Sequence, residues 1–410
     1  MFGFGDRMRK MRRRRNMRMR TGRGPKRMSR FRLSSYGPII KIGGIAVGAV
    51  ALVLIIIFVI APLFGGNSKP QETQTATETP APEATPAARA DMSDLDKELV
   101  TANQLINDPY IFGQEAVFTT GKAGESKPDI NTIAIYNLDT KETAEVAGIT
   151  KKYATLFEPK MNDKYIVYLD CKDEYGGAVC GFDRATGETF VMREYAYGKP
   201  KVSLAGEYAL WLQQTSKGTD RLILYHLPTR ETEEIEVFVN TPFALSSPYM
   251  SDNAIVYAQP KQESSLLVGS SNTQEAEICV IPLTQGGDQQ RTLFLPGVSV
   301  LDPKISGDSI VFVDTYADVN KLYLCTKQGD TYSAPAVIAE NVVNYAVGDG
   351  YVVYTKDEAV FIYYFADQSS GKLTAESKRV LLSSACGKNV AWYDITDLTG
   401  ANIVFYAQVP

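Results

Sequence analysis

Histidine is nearly absent from the sequence, with one residue among 410. A single imidazole excludes zinc sites built from several histidines, and any Ser-His-Asp arrangement would have to use His226. The sequence also lacks a Gly-x-Ser-x-Gly nucleophile elbow and the acidic ladder of a calcium-binding loop. No catalytic residue, metal site or cofactor is therefore predicted, and His226 is expected to be a structural or rim residue of a strand.

Cysteine is also scarce, and the five residues show no paired two-residue spacing of the kind that binds zinc. Cys171 and Cys180 lie at the two ends of a loop between strands that are expected to pair. In an oxidising compartment this arrangement predicts a hairpin disulfide. The alternative is that both are free, as we expect for Cys279, Cys325 and Cys386.

Charge is segregated along the chain although the net charge is only −4. Residues 1–41 contain 15 Lys and Arg and one acid, whereas residues 93–410 contain 26 basic and 42 acidic residues. Between them, the 23 residues of segment 42–64 carry no charge, which is long enough to cross a hydrocarbon core of roughly 30 Å. We expect an uncleaved signal-anchor helix at 39–64, a cytoplasmic tail at 1–38 and the remainder outside the plasma membrane.

The two segments that flank the predicted anchor have simple expected roles. Arg12, Arg13, Arg14 and Arg15 in the disordered basic tail are expected to contact anionic lipid headgroups. Nucleic-acid binding is the less favoured alternative, since no aromatic residues suited to base stacking are interleaved. Residues 65–92 contain four prolines and five threonines and little to bury, which predicts a disordered stalk. Residues 93–410 remain as the folded ectodomain.

The ectodomain contains a repeated sequence mark, a short apolar strand that ends in an aromatic residue. The aromatic residues are 50, 43, 46, 55, 42 and 38 positions apart. A proline precedes five of them by 9, 9, 11, 9 and 9 positions. The marks are Phe118, Tyr168, Trp211, Tyr257, Phe312, Tyr354 and Trp392, and the prolines are Pro109, Pro159, Pro200, Pro248 and Pro303.

Each mark is followed by a second apolar strand, a turn rich in Thr, Gly and acidic residues, and a short last strand, such as 189–192 or 380–382. Four strands in about 45 residues are typical of a propeller blade. The sequence therefore predicts an all-β, seven-bladed β-propeller. The error of the count is one blade, so six and eight blades are the alternatives. The seventh unit stops after its third strand, so we expect residues 99–106 to supply the missing outer strand and close the ring.

The repeat unit resembles those of a known group of propellers. Residues 303–312, Pro-Lys-Ile-Ser-Gly-Asp-Ser-Ile-Val-Phe, followed by a strand and a Thr-Gly-Glu-type turn, resemble the repeats of TolB-like and WD-repeat-like bacterial propellers. The resemblance covers about three quarters of the chain. It implies a propeller, a fold that serves in binding scaffolds, in secretion machinery and as an accessory domain of peptidases.

Acidic residues recur just after the aromatic marks, at Asp170, Asp314 and Asp394, with Asp357 nearby. A ring of carboxylates at one rim would bind cations or basic partners. The alternative is that these residues form turns by hydrogen bonding their own backbone.

The combination of anchor, stalk and propeller favours a non-enzymatic, membrane-tethered extracytoplasmic module of a bacterial envelope. We expect it to bind a protein or cell-wall ligand through one rim and the central channel, with insertion 262–274 as a candidate contact loop. Two alternatives remain open. One is a hydrolase or lyase that uses carboxylates in the channel, and the other is a transmembrane sensor.

Overall fold

The computed structural model describes the chain from residue 97 to residue 409 in eleven segments. These are residues 97–99, 105–121, 130–172, 175–215, 219–239, 246–260, 276–283, 291–314, 319–374, 379–396 and 403–409. The predicted tail, anchor and stalk, including Arg12 to Arg15, lie outside the described residues, as does insertion 262–274. Within these segments, no helix has the length and apolar character that a membrane span requires.

The described residues form seven antiparallel sheets, which confirms the predicted all-β, seven-bladed propeller. Blade 1 comprises β2 (Asn107–Phe112), β3 (Glu115–Thr120), β4 (Thr132–Asn137) and β5 (Thr143–Glu145). Blade 2 comprises β6 (Thr155–Met161), β7 (Tyr165–Cys171), β8 (Gly177–Asp183) and β9 (Glu188–Tyr195). Blade 3 comprises β10 (Ser203–Ala205), β11 (Tyr208–Gln214), β12 (Thr219–His226) and β13 (Glu231–Val239).

The next three blades repeat this pattern, and blade 5 has one additional strand. Blade 4 comprises β14 (Tyr249–Met250), β15 (Ala254–Pro260), β16 (Ala276–Pro282) and β17 (Thr292–Phe294). Blade 5 comprises β18 (Leu301–Ser306), β19 (Ser309–Asp314), β20 (Lys321–Gln328), β21 (Thr331–Tyr332) and β22 (Ala336–Glu340). Blade 6 comprises β23 (Asn344–Gly348), β24 (Tyr351–Lys356), β25 (Ala359–Tyr364) and β26 (Ser370–Lys372).

Blade 7 joins the two ends of the folded domain. It comprises β27 (Val380–Cys386), β28 (Asn389–Asp394), β29 (Ile403–Gln408) and, as its outer strand, β1 (Lys97–Leu99). Leu99 pairs with Val404 in this closure, and its side chain is 2 % exposed. A segment ahead of blade 1 therefore supplies the outer strand of blade 7, as predicted. The strand lies earlier than the expected 99–106, however, and shares only Leu99 with that range.

One strand assignment from the sequence was wrong. Residues 380–382 were expected to end the sixth unit, but they begin β27, the first strand of blade 7. Blade 6 instead ends with Ser370–Lys372, whose pattern of Ser, Gly and Lys has no apolar residue. This outer strand buries little, so its sequence carries no hydrophobic signal.

The core explains why the blades form a ring. Seven clusters of buried apolar residues each combine side chains of two neighbouring blades, and together they fill all seven interfaces, including that between blades 7 and 1. All seven aromatic marks lie on the second strand of a blade and are at most 5 % exposed. Each sheet is thus apolar on both faces, which only a neighbour on each side can cover.

Candidate functional site

The first strand of every blade lines a central channel, because the first strands of neighbouring blades contact one another all around the ring. At one end of the channel, the turns between the first and second strands of six blades and the end of β2 in blade 1 surround a cavity of about 530 Å³. We call this the turn-end cavity. Its lining comes from seven separate segments of sequence, one from each blade.

The mouth of the turn-end cavity is acidic. Asp163, Glu207, Asp252 and Asp349 come from the turns of blades 2, 3, 4 and 6, and Lys164 is the basic residue among the lining side chains. Lys164 forms an ion pair with Glu207 at 2.7 Å. Three carboxylates of the mouth therefore remain without a lysine partner in this lining, which favours positively charged ligands.

The innermost part of the cavity is lined by Tyr110, Tyr249 and Cys386. Burial raises the pKa of each of these groups; Cys386 raises that of the two tyrosines further, whereas the hydrogen bond with Tyr110 opposes the shift at Cys386. They are therefore neutral at physiological pH. Because its pKa is raised, the Cys386 thiol is a poor nucleophile.

The backbone register places one residue of each first strand at the same level of the channel. Each of these residues pairs with the residue that precedes an aromatic mark. We call the set the girdle, and its members in blade order are Tyr110, Lys160, Ser203, Tyr249, Lys304, Ala346 and Ser384. Its two lysines are three blades apart and therefore lie on nearly opposite sides of the channel.

Each girdle lysine leans onto a tyrosine of a neighbouring blade. The Lys160 ammonium lies 5.9 Å from the centre of the Tyr110 ring, and that of Lys304 lies 4.2 Å from the Tyr345 ring. Lys304 also donates a hydrogen bond to the Tyr345 carbonyl oxygen. These contacts hold both ammonium groups in the channel through cation–π attraction.

The end of the channel opposite the turn-end cavity carries more lysines, and we call it the lysine end. Lys199 and Lys201 line a second pocket of about 420 Å³, formed by blade 3 and the segment that leads into blade 4. The Lys199 ammonium lies 3.8 Å from the centre of the Phe157 ring. Lys201 reaches Asp302 of blade 5 at 3.5 Å, so this pocket opens beside the channel.

Three blades carry the same distortion at the lysine end. An acidic residue that precedes proline adopts a left-handed backbone conformation, with φ of 50° at Asp108, 48° at Glu158 and 50° at Asp302. The pairing register shifts at each of these positions. A left-handed residue other than glycine is strained. These bulges explain why Pro109, Pro159 and Pro303 keep one distance from their aromatic marks, because the same distortion recurs in each hairpin.

The four acidic residues predicted for the rim all lie at the ends of second strands, at one end of the ring. The structure does not gather them into one site. Asp314 accepts a hydrogen bond from the Ser299 hydroxyl, and Asp394 accepts one from the Thr396 backbone at 2.9 Å. Asp357 is exposed in a tight turn and has φ of 49°. The turn-forming alternative fits Asp394 and Asp357, whereas Asp314 and Asp170 bond to partners outside their own turns.

Asp170 is the most buried of the four and is fully inaccessible. Its carboxylate accepts hydrogen bonds from the backbone of Lys152 at 2.5 Å and of Tyr153 at 3.1 Å. It therefore fixes the segment that leads into β6 and has no free face for a ligand.

Replacing Asp170 by alanine is expected to destabilise the protein by about 1–3 kcal/mol, because two backbone N–H groups lose their acceptor. Asp170→Asn keeps one acceptor oxygen and is expected to cost less. Chemical denaturation of the full-length variants measures both effects, and Asp357→Ala, in an exposed turn, is the control. Equal stability of Asp170→Ala and the wild type would show that this carboxylate does not hold the segment.

The expected disulfide is not formed in the structure, where Cys171 and Cys180 are free and buried. Cys171 lies opposite Gly177, and Cys180 lies opposite Tyr168. The two side chains therefore point to opposite faces of the sheet, Cys171 towards blade 3 and Cys180 towards blade 1. The Cys171 sulfur instead lies 3.0 Å from the Tyr195 hydroxyl. The loop suggested proximity, but the period of two along a strand separates the thiols.

His226 lies at the end of β12, close to the turn end of the ring. Its Nδ1 is 2.8 Å from the Thr229 hydroxyl, its Nε2 is 3.7 Å from Glu207, and its ring packs on Tyr208. The Thr229 hydroxyl donates to Glu231, so it is an acceptor towards the histidine and not an activated nucleophile. In the part of the chain that the structure describes, no three His, Cys, Asp or Glu residues form a group able to hold a metal ion.

Comparison with known proteins places the fold among propellers. No protein-family model matches the sequence, and no curated protein matches it. Among solved structures, the chain is similar to the propeller domain of the Trilobed protease from Pyrococcus furiosus, with 16 % identity, a TM-score of 0.56, and coverage of 75 % of this chain and 96 % of that one. That propeller has an open velcro topology, whereas β1 and β29 pair in this chain.

Larger enzymes share the same likeness over part of their length. A prolyl endopeptidase structure gives 12 % identity and a TM-score of 0.55, and the match covers 75 % of this chain but 48 % of the enzyme. TolB from Acinetobacter baumannii is also among the similar structures, with 14 % identity, a TM-score of 0.39 and coverage of 60 % of each chain. At such identities, the shared property is the propeller fold.

The sequence contained a signal for the lysine end that was not recognised. In four of the five proline-containing units, the residue that follows the proline is a girdle residue, namely Tyr110, Lys160, Tyr249 and Lys304. In blade 3, Pro200 precedes Trp211 by 11 positions instead of 9, so the residue after the proline, Lys201, is not the girdle residue. Ser203 is the girdle residue, and Lys201 lies two residues before it, nearer the lysine end. Aligning the units on their aromatic marks would have shown lysines at equivalent positions.

Proposed function

We propose that this protein is a single-pass, membrane-tethered extracytoplasmic binding module that takes an envelope protein or cell-wall ligand at the turn-end cavity. The observation that supports it best is the cavity of about 530 Å³, which residues of all seven blades line. Turns on a rigid ring present side chains for recognition at low entropic cost. The charge-free segment 42–64 and the basic residues ahead of it support the membrane tether.

Binding fits the chemistry of the described residues better than turnover does. The carboxylates at the opposite rim are engaged by donors of their own blades, as with Asp170 and the segment that leads into β6. The mouth carboxylates Asp163, Asp252 and Asp349 are left to interact with a ligand. We propose that the ligand presents positive charge to this mouth, which would speed its association at low ionic strength.

Site-specific photo-crosslinking in cells that produce the full-length protein tests this proposal. A photoreactive residue in place of Asn253, on the cavity mouth, is expected to capture a ligand. The same residue in place of Tyr175, which is 80 % exposed away from the cavity, is the control. In the double variant Asp252→Asn, Asp349→Asn, we expect capture at position 253 to fall at least threefold. Equal capture at both positions would contradict a turn-end site, and turnover of a glycan or peptide panel by the purified protein would contradict a purely binding role.

A further inference from the structure

We propose that the lysine end of the channel is a second binding site, which holds an anionic group, a carboxylate or a phosphate, among Lys160, Lys201 and Lys304. This site goes beyond the proposed function, since it lies at the opposite end of the channel from the turn-end cavity. It comes from three different blades, so it exists only in the closed ring.

The acids next to the two girdle lysines, Glu158 beside Lys160 and Asp302 beside Lys304, favour the charged lysines but do not reach ion-pair distance. Both lysines are half-buried, and within the described part of the chain neither forms an ion pair with a carboxylate. The contacts of their ammonium groups are the tyrosine rings and, for Lys304, one carbonyl oxygen. A partly desolvated ammonium group without a counter-ion is costly. An anion in the channel offsets that cost by supplying the missing acceptors.

Two of the acidic residues nearby, Asp108 and Asp302, have other partners. Asp108 accepts a hydrogen bond from the Glu158 backbone at 3.1 Å. Asp302 accepts one from the Ser247 backbone at 2.5 Å and contacts Lys201 at 3.5 Å. The Asp108 bond ties the first strands of blades 1 and 2 together, and Asp302 ties the first strand of blade 5 to the segments that lead into blades 3 and 4. The carboxylates therefore hold the channel wall together, and they leave Lys160 and Lys304 to a ligand.

Electrostatics in the channel agree with this assignment. Burial lowers the pKa of Lys304 to about 7, and the positive charges of Lys160 and Lys201 lower it further while Asp302 opposes the shift. Burial also lowers the pKa of Lys160, against the effect of Glu158. Burial raises the pKa of Glu158, so this carboxyl is a weaker counter-ion than a solvated one. A bound anion would raise the pKa of both lysines again, because it favours their charged forms.

The neighbouring pocket of about 420 Å³ adds hydrogen-bond donors at the same end of the channel. Lys199 and Lys201 line it together with Gln214, Ser246 and Ser247, all of which carry hydrogen-bond donors. Its lining contains no Asp or Glu. The acidic mouth at the other end of the channel repels the same ligands. An anion is therefore expected to enter from the lysine end.

Calorimetric titration of the full-length protein in detergent tests the site with three probes. These are inorganic phosphate, succinate, and succinamide as the uncharged analogue of succinate. We expect phosphate, succinate or both to bind and succinamide not to bind. Lys160→Met and Lys304→Met are each expected to weaken anion binding about tenfold, since each removes a charge-assisted hydrogen bond. Lys327→Met, at an exposed position of β20 that lines neither pocket, is the matched control and is expected to bind like the wild type.

A second measurement uses the wild-type protein and so does not depend on the folding of variants. The bound anion is expected to protect Lys160 and Lys304 from acetylation in solution, as read by mass spectrometry, and to leave the exposed Lys327 unprotected. Binding of succinate but not of phosphate would identify a carboxylate ligand. Binding of phosphate but not of succinate would identify a phosphate ligand. Absence of binding by both anions, binding unchanged in both girdle variants, or equal loss in Lys327→Met would overturn the proposal, whatever the crosslinking at position 253 shows.

Discussion

Leu99→Asp is expected to lower the free energy of unfolding by about 4 kcal/mol, because it places an unpaired charge in a core position. Leu99 is 2 % exposed and packs in the cluster between blades 7 and 1, with Phe118 and Val404 among its neighbours. It belongs to the three-residue strand that completes blade 7. The substitution therefore removes both the apolar contact and the reason for β1 to pair with β29.

Chemical denaturation of the full-length protein measures the loss, and hydrogen exchange shows where it acts. We expect the amides of Val404 and Tyr406 to lose protection in Leu99→Asp, because their strand becomes an open edge. Glu98→Ala changes an exposed neighbour on the same strand and is the control, with an expected effect within about 0.5 kcal/mol. Unchanged exchange in β29 would show that β1 does not close the ring.

Trp392→Ala is expected to destabilise the protein by about 3–5 kcal/mol through loss of a large buried side chain. Trp392 is fully buried between blades 6 and 7, and its indole Nε1 has no hydrogen-bond partner among the described residues. The aromatic ring, and not the N–H group, therefore supplies the stability. Trp392→Phe is expected to retain most of it.

Trp211 is the matched comparison, because it occupies the same mark in blade 3 and is also fully buried. Its Nε1 donates to the Gln213 side chain at 3.3 Å. Replacement by phenylalanine is therefore expected to cost more at Trp211 than at Trp392, by about 1 kcal/mol for the lost hydrogen bond. Thermal unfolding of the two Trp→Phe variants measures the difference. The reverse order would mean that packing, and not the hydrogen bond, distinguishes the two positions.

The architecture could be predicted because the repeated marks coincide with the most buried positions. Phe118, Phe312 and Trp392 are on second strands, which are covered on both faces and must be apolar. Outer strands such as Ser370–Lys372 face solvent, so their sequence is free to vary. For the same reason, the position of the short closing strand could be predicted only approximately.

The candidate sites could not be predicted to the same extent. The inner strands line an open channel, so residues such as Lys160 and Lys304 follow no apolar pattern. Whether two such residues face each other across the channel depends on how many blades separate them and on how many blades the ring contains. Asp170 shows the opposite error, since its position after an aromatic mark suggested a rim ligand, although its carboxylate is fully buried against backbone donors.

The closing strand has a mechanical consequence. Any tension on the chain ahead of Lys97 is transmitted directly to β1, which is held to the propeller by three residue pairs. The strand at the point of loading is thus the one that locks the ring. A pull from the amino-terminal side would separate β1 from β29 before it strained any other blade. Single-molecule stretching from that side should show the loss of this strand pair as the first event.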